Sequence, residues 1–270
     1  MMIPQPLSLH VFKCSPSGNI TSLVFSPVER RLHAAVAQAI MRQQPDVEQV
    51  GFYEPASSPV ALARLQMMGG EFCGNATSAF FYTLASQLNV KDGWVEVSGK
   101  STPLHVSVSE NTVTLSLQEA FTLLPSPSAS AVALVEMEGI SHLLCTGQVP
   151  QELTSVAKRL LQEHDLLSQP AAGVIFVEQS ASGTNITPVV WVKATQSLVP
   201  ESACASGSMA VALWRAAQTP DQNLPVVLYQ PSGECIRLQT QFLGAHLASI
   251  CMQSQVQMLE ESTLTIQVES

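Results

Sequence analysis

The sequence predicts an α+β protein built from two similar halves, and three observations carry that prediction. One order of elements, strands and a helix leading to a cysteine-headed helix and then short strands, runs through residues 7–117 and again through 132–253. The cysteines that head the two equivalent helices, Cys73 and Cys204, are separated by about half of the chain, the spacing a duplicated unit imposes. A composition that is 46% hydrophobic and 12% charged over 270 residues excludes a disordered chain and supplies apolar surface for a core in each half. We therefore expect halves at 1–125 and 126–270, joined at the Pro125-Ser126-Pro127-Ser128 break.

In the first half, Leu7 to Lys13 alternates like a strand, and Cys14 to Asn19 reads as a loop whose Gly18-Asn19 pair favours unusual backbone angles. Val28 to Arg42 predicts a helix with Val28, Leu32, Ala35, Val36, Ala39 and Ile40 on one side. Val47 to Tyr53 and Ala61 to Met67 predict strands leading to Cys73, and Thr77 to Leu84 suits a helix. Trp94 to Val97, Thr102 to Val108 and Thr112 to Leu117 then read as short antiparallel strands between turn residues.

The second half repeats this. Val132 to Glu136 and His142 to Thr146 predict strands, Glu152 to His164 a helix, and Gly173 to Val177 and Pro188 to Lys193 strands. The helix Ser208 to Ala217 follows Cys204, and Pro225 to Gln230, Cys235 to Thr240 and Ala245 to Gln253 read as strands. The last segment, Glu260 to Ser270, fits either a further strand or a loose tail.

Charge and cysteine content narrow the partners. Twelve basic residues against twenty-one acidic ones give a net charge of -9 with no basic cluster, which argues against nucleic acid. No apolar run has the roughly 20 residues of a membrane span, and Met1 to Phe12 lacks the pattern of a signal peptide, so a cytoplasmic protein is expected. The six cysteines show no metal-ligand spacing, and Cys145, Cys235 and Cys251 read as small buried hydrophobes. Met67, Met68 and the Phe80-Phe81-Tyr82 cluster read as core. No Gly-rich phosphate loop follows a strand, and none of the lysines lies in a phosphate-binding context, so no cofactor and no metal are expected. The sequence leaves the oligomeric state open, a homodimer included.

Cys73 and Cys204 differ from the other cysteines in their surroundings. Each stands at a helix start, where backbone N–H groups favour a thiolate and bind a carboxylate. Two such ends facing one another would hold an amino acid's carboxylate, with one sulfur on each face of its α-carbon. One sulfur takes the α-proton and the other returns a proton to the opposite face, the chemistry of a two-base racemase acting on a small amino acid. Glu71 and Glu201, two and three residues ahead of the cysteines, either cap or orient a helix start or bias the neighbouring thiol toward its protonated form. Asn75, after Cys73-Gly74, suits a carboxylate donor or a tight turn.

At these residues the chain resembles the diaminopimelate epimerase superfamily of cofactor-independent racemases and epimerases. Phe72-Cys73-Gly74-Asn75-Ala76 is similar to its Cys-Gly-Asn-Gly segment, and Ala203-Cys204-Ala205-Ser206-Gly207 to its Ala-Cys-Gly-Thr/Ser-Gly segment. Phe12-Lys13 with Gly18-Asn19, His142, Thr184-Asn185-Ile186 and Pro231-Ser232-Gly233 match further family segments in the same order. The resemblance implies two pseudo-symmetric domains, each a curved, mostly antiparallel sheet around a central helix, with the site in the cleft between them. It implies that Cys73 and Cys204 are the acid/base pair, that Gly74, Asn75, Ala205 and Ser206 hold the α-carboxylate, and that Asn19, Asn185 and Glu201 line the rest of the site. His142 is either a structural histidine or an orienting group.

Departures from the family pattern bear on the substrate. The Glu-Arg pair that precedes the second cysteine in diaminopimelate epimerases is replaced by the uncharged Thr195 to Pro200, and Ser78 stands where an arginine is usual after the first motif. A second carboxylate would lack its cation, which costs about 1.5–3 kcal/mol for a charged hydrogen bond. Gly69 to Thr77 instead looks like the histidine racemase branch, some members of which serve metallophore synthesis, so a single-carboxylate amino acid such as histidine is expected. The alternatives are a diaminopimelate or proline-type enzyme, a PhzF-like isomerase, against which the paired cysteines argue, and a catalytically silent amino-acid-binding relative.

Overall fold

The computed structural model describes residues 6–118, 121–125, 133–181, 183–219, 225–243 and 246–268. Ser126 to Ser128 of the expected linker lie outside the described residues. Strands β1 (Leu7–Pro16), β2 (Thr21–Val24), β3 (Gln49–Glu54), β4 (Ala61–Met67), β5 (Asp92–Val97), β6 (Leu104–Ser109) and β7 (Thr112–Leu117) carry helices α1 (His33–Gln43) and α2 (Gly74–Leu88) between them. Strands β8 (Phe121–Pro125), β9 (Ala133–Met137), β10 (Ile140–Thr146), β11 (Ala171–Ser180), β12 (Gly183–Val192), β13 (Ser197–Pro200), β14 (Val226–Tyr229), β15 (Cys235–Leu243) and β16 (His246–Ile266) carry α3 (Leu153–Glu163) and α4 (Ala205–Gln218).

Parallel pairing exposes the repeat. β2 with β3, β4 with β5, β10 with β11, and β12 with β14 are parallel; the other pairs are antiparallel. A parallel pair needs a crossover, and each of these four crossovers contains one of the four helices. In each half the first helix, α1 or α3, packs on the outside of the sheet, α1 against β3 and α3 against β11, β12 and β13. The second helix, α2 or α4, lies inside. α2 is buried around its whole circumference, with Ala76, Ala79, Phe80, Phe81 and Leu84 in the core and the hydroxyls of Thr77, Ser78 and Thr83 turned back onto carbonyls one turn earlier. Asn89 ends it in the left-handed region at φ 53°, ψ 47°.

The 21-residue strand β16 joins the halves. Its segment Ile250–Gln253 lies between β7 on one side and β15 on the other, and Val256–Ile266 pairs with β1. The order β1-β2-β3-β4-β5-β6-β7-β16 therefore closes on itself through β1, and α2 touches all eight strands of the ring. α4 packs against β9, β10, β11, β15 and β16 in a sheet that ends at β8, which precedes the expected linker and pairs with β9.

The α+β architecture of two pseudo-symmetric units is as the sequence predicts; several boundaries are not. β2, β8 and β13 had no counterpart in the sequence reading, and the strand expected from Leu7 to Lys13 continues through the supposed loop to Pro16. The first helix begins at His33 rather than Val28, because the backbone at Glu29 is extended and the chain enters through a 3-10 turn, Arg30–Leu32. The segment from Glu260 belongs to β16 as far as Ile266, where its partner β1 supplies the ladder. No helix among the described residues is long and apolar enough to cross a membrane.

Candidate active site

The two cysteine devices fold alike to the level of single hydrogen bonds. Cys73 caps α2 at φ -132°, ψ 112°, and Cys204 caps α4 at φ -135°, ψ 107°. Each sulfur accepts the backbone N–H three residues on, from Ala76 and from Gly207, at 3.4 Å, so sulfur takes the part usually played by a Ser or Asp oxygen. Thr77 and Ser208 then donate their hydroxyls back to the Cys73 and Cys204 carbonyls, both at 2.7 Å. A Cβ at Gly74 would stand 2.7 Å from Ala205 Cβ, so the tips of the two helices are in contact and glycine allows it.

Cys73, Cys204, Glu71, Glu201, Asn75, Ala205 and Ser206 all line one cavity between the halves. Its volume is about 20 Å³, room for about one water molecule and too small for an amino acid as the halves stand. Side chains of the first half close it by gripping the chain ahead of Cys204. Asn19 Nδ2 and Asn75 Nδ2 both donate to the Ala203 carbonyl, at 3.1 and 2.7 Å, and Ser202 N donates to Glu48 Oε2 at 2.8 Å. Ser232 Oγ donates to the Ser17 carbonyl at 2.8 Å.

Other expected residues stand further off. His142 is buried behind α4, with Nε2 2.9 Å from Ser206 Oγ, and it reaches the cavity only through that serine. Asn19, Gly74 and Asn185 are not among the lining residues: Asn19 holds the Ala203 carbonyl, Gly74 packs against Ala205, and on β12 the Asn185 amide donates to Ser180 Oγ at 3.1 Å. Ser78 is buried inside the ring, donating to the Gly74 carbonyl at 3.0 Å and accepting from Ser254 Oγ at 3.1 Å.

Three residues escaped the sequence reading. Glu48 and Gln49 line the cavity from the start of β3, and Gln49 Oε1 accepts the Cys73 thiol at 2.9 Å. Gln230 Oε1 accepts the backbone N–H of Cys204 at 3.0 Å. The only available signal was the pair of polar residues near the start of the otherwise apolar run Val47 to Tyr53.

Electrostatics correct one expectation. In the closed site the helix N-termini do not make thiolates of the cysteines: burial, and then the neighbouring Glu201 carboxylate, hold both thiols well above their ordinary range, outweighing the backbone N–H groups. The carboxyls are held up too. Burial pushes Glu71 to about 7 and Glu201 to about 8, the latter helped by repulsion from Glu48 and Glu71, and burial also raises Glu48. Burial lowers His142 to about 3, so its ring is neutral. Glu71 Oε2 and Asn75 Oδ1 are buried with no hydrogen-bond partner among the described residues. Three carboxyls, two thiols and no basic side chain make a lining suited to a cationic group.

Comparison with known proteins places this geometry. Residues 8–264 match the family described as the histidine racemase CntK N-terminal domain. A histidine racemase of Staphylococcus aureus is 25% identical over 236 residues, which cover 83% of this chain and 86% of that protein. One from Fusobacterium nucleatum is 29% identical over 226 residues, covering 75% of this chain and 80% of that protein. Among solved structures, a probable proline racemase from Agrobacterium radiobacter with bound carbonate is similar at a TM-score of 0.66 and 13% identity. It covers 95% of this chain and 92% of its own, a likeness of fold.

Proposed function

The chain belongs to the histidine racemase CntK family and is an amino-acid racemase; from that premise we propose that it inverts histidine, with Cys73 and Cys204 as its two acid/base groups. The observation that carries the mechanism is that two cysteine-capped helices meet tip to tip at one cavity, with a sulfur on each. The first amides of each helix have no partner within it, so Gly74, Asn75, Ala205 and Ser206 offer N–H groups to the substrate carboxylate. The α-ammonium goes to the carboxyl cluster around Glu201, which Glu48 and Glu71 flank electrostatically.

Charge explains why such a site works only when filled. Empty and closed, it keeps both sulfurs as thiols, first through burial and then through Glu201; an ammonium beside Glu201 offsets the second of these and brings the thiols closer to ionising. One sulfur then ionises, takes the α-proton and becomes a thiol, while the other delivers its proton to the opposite face and becomes the thiolate. The carbanion's charge is spread into the carboxylate and met by the helix amides. A side chain meets the apolar wall of Met68, Ile140, Val190, Val192 and Val199, which suits a flat ring; a second carboxylate would meet Glu48 and Glu71 without a cation. All six cysteines are unbridged, which supports a reducing, cytoplasmic setting.

Incubating the reduced protein with L-histidine and other L-amino acids in deuterated water tests this. The expected result is α-deuteration and inversion of histidine above the rest, read by NMR and chiral chromatography. Equal or greater turnover of proline or diaminopimelate would replace the substrate assignment, and silence across the panel would remove it.

A further inference from the structure

We propose that Gln49 is a positioning residue for Cys73: its amide oxygen fixes the direction of the Cys73 S–H and favours the form of the enzyme in which Cys73 carries the proton. This deepens the two-cysteine reading and rests on it.

The direction of the bond follows from a chain of hydrogen bonds anchored on a group that cannot turn round. The Ala203 carbonyl is backbone and can only accept, so the Asn19 nitrogen faces it, at 3.1 Å. The same nitrogen donates to the Glu48 carboxyl at 3.0 Å. Asn19 Oδ1 is thereby turned the other way, where it accepts from Thr21 Oγ1 at 3.0 Å and from Gln49 Nε2 at 2.7 Å. Having given its proton to Asn19, the Thr21 hydroxyl presents lone pairs to Gln49 Nε2 at 2.9 Å. Both donors of the Gln49 amide are thus engaged, and its oxygen is left facing Cys73 Sγ at 2.9 Å. Turning the Gln49 amide over would set its oxygen against Asn19 Oδ1 and the Thr21 lone pairs. Only a thiol satisfies the remaining acceptor, because a thiolate there would face an oxygen.

Among the described residues no side-chain amide faces the Cys204 sulfur. Its Sγ lies 3.6 Å from Ser206 Oγ, and Glu201 is hydrogen-bonded to it, a partner that can itself take a proton. Gln49 therefore stabilises one of the two protonation forms of the pair, Cys73 thiol with Cys204 thiolate, relative to its mirror form. The enantiomer whose α-hydrogen faces Cys204 meets the base in place, with Cys73 ready to give its proton on the far side. After one inversion the proton sits on Cys204, and exchange with water restores the favoured form.

Site-resolved alkylation of the full-length protein tests this independently of turnover. Iodoacetamide rates at Cys73 and Cys204 are followed against pH by peptide mass spectrometry in the wild type, Gln49→Leu and Gln49→Glu. Each sulfur is compared with itself across variants, and the shape of its pH profile carries the comparison, because a substitution at Gln49 also changes the exposure of Cys73 and so its absolute rate. Glu48, Glu71 and Glu201, the charged groups facing Cys73, are unchanged in both variants. Loss of one neutral hydrogen bond in Gln49→Leu should shift the Cys73 profile to lower pH, by the equivalent of about fivefold in rate at a given pH, leaving Cys204 unmoved. Gln49→Glu, once ionised, should move Cys73 to higher pH than in the wild type. In turnover, Gln49→Leu should shift the ratio of kcat values for the two directions, with KM shifting to match, because an equilibrium constant of one ties the two kcat/KM values together. Circular dichroism reports folding, and Gln49→Met replaces Gln49→Leu if the latter does not fold. A Cys73 profile that does not move, or moves the same way in the Leu and Glu variants, overturns the proposal. If the wild type fails to invert histidine while Cys73 responds as described, the substrate reading falls and this assignment stands.

Discussion

The helix headed by Cys73 lies inside a closed ring of eight strands, whereas the helix headed by Cys204 lies in a sheet that stops at β8. Despite unlike enclosures, the caps have nearly the same torsions and the same return bonds from Thr77 and Ser208. The first helical turn is therefore shaped by its own residues, and the enclosure by where β16 finds partners. The side chains around the sulfurs have diverged where the backbone has not. Cys73 points its thiol at a neutral amide, while Cys204 has Ser206, with His142 behind it, and a glutamate.

The largest effect should come from the sulfurs. Cys73→Ser and Cys204→Ser keep a residue that caps a helix well, so both variants should fold. Each should lower histidine α-proton exchange by about 10²- to 10⁴-fold, the usual loss of an acid/base group. An assay in which only one variant is impaired would break the equivalence of the halves.

A smaller effect should separate the helix tips. Gly74→Ala drives a Cβ to 2.7 Å from Ala205 Cβ, an atom fixed to backbone, and should cost about 1–3 kcal/mol in urea unfolding. Gly207→Ala meets the far end of Ile175 at 2.4 Å, which can rotate, and should cost less. The opposite ranking would show that the two halves do not meet at Gly74.

The last effect concerns charge and shows only as a dependence on pH. Glu71, 4% exposed, holds its proton in the folded protein to about pH 7 and loses it near 4.5 when unfolded. Between those values the folded state binds more protons, so this group makes stability fall as pH rises, by about 1.4 kcal/mol per pH unit. Buried His142, at about 3 when folded, acts in the opposite sense below pH 6.5, which makes the difference between variant and wild type the clean quantity. Glu71→Gln should remove the fall, so its advantage over wild type grows from pH 5 to 7 and then levels off. A constant difference across that range would mean that Glu71 is ionised in the folded protein.

Much of this was legible beforehand because it is local. The cap at Cys73 needs only a cysteine, a glycine and a helix-compatible run, and β4 and β7 were readable to the residue because their alternation stops at turn residues. β2 and β13 escaped because four-residue strands give too few positions for a period, and β8 because it ends in proline. Gln49 and Gln230 escaped because an amide in a strand or turn has no sequence signature until its partner is known.

By itself the sequence determined the duplicated order of elements, the two cysteine caps, the absence of a basic surface and the family resemblance, since each depends on neighbours within a few residues or on total charge. Tertiary structure decided what lies far apart in the chain. It bent β16 across both halves, set Gly74 against Ala205, and brought Asn19 and Asn75 to the carbonyl of Ala203. It also reversed the expected ionisation of the sulfurs, because the field at a buried thiol depends on every carboxyl folded around it, and Glu201 reaches Cys73 only through the fold.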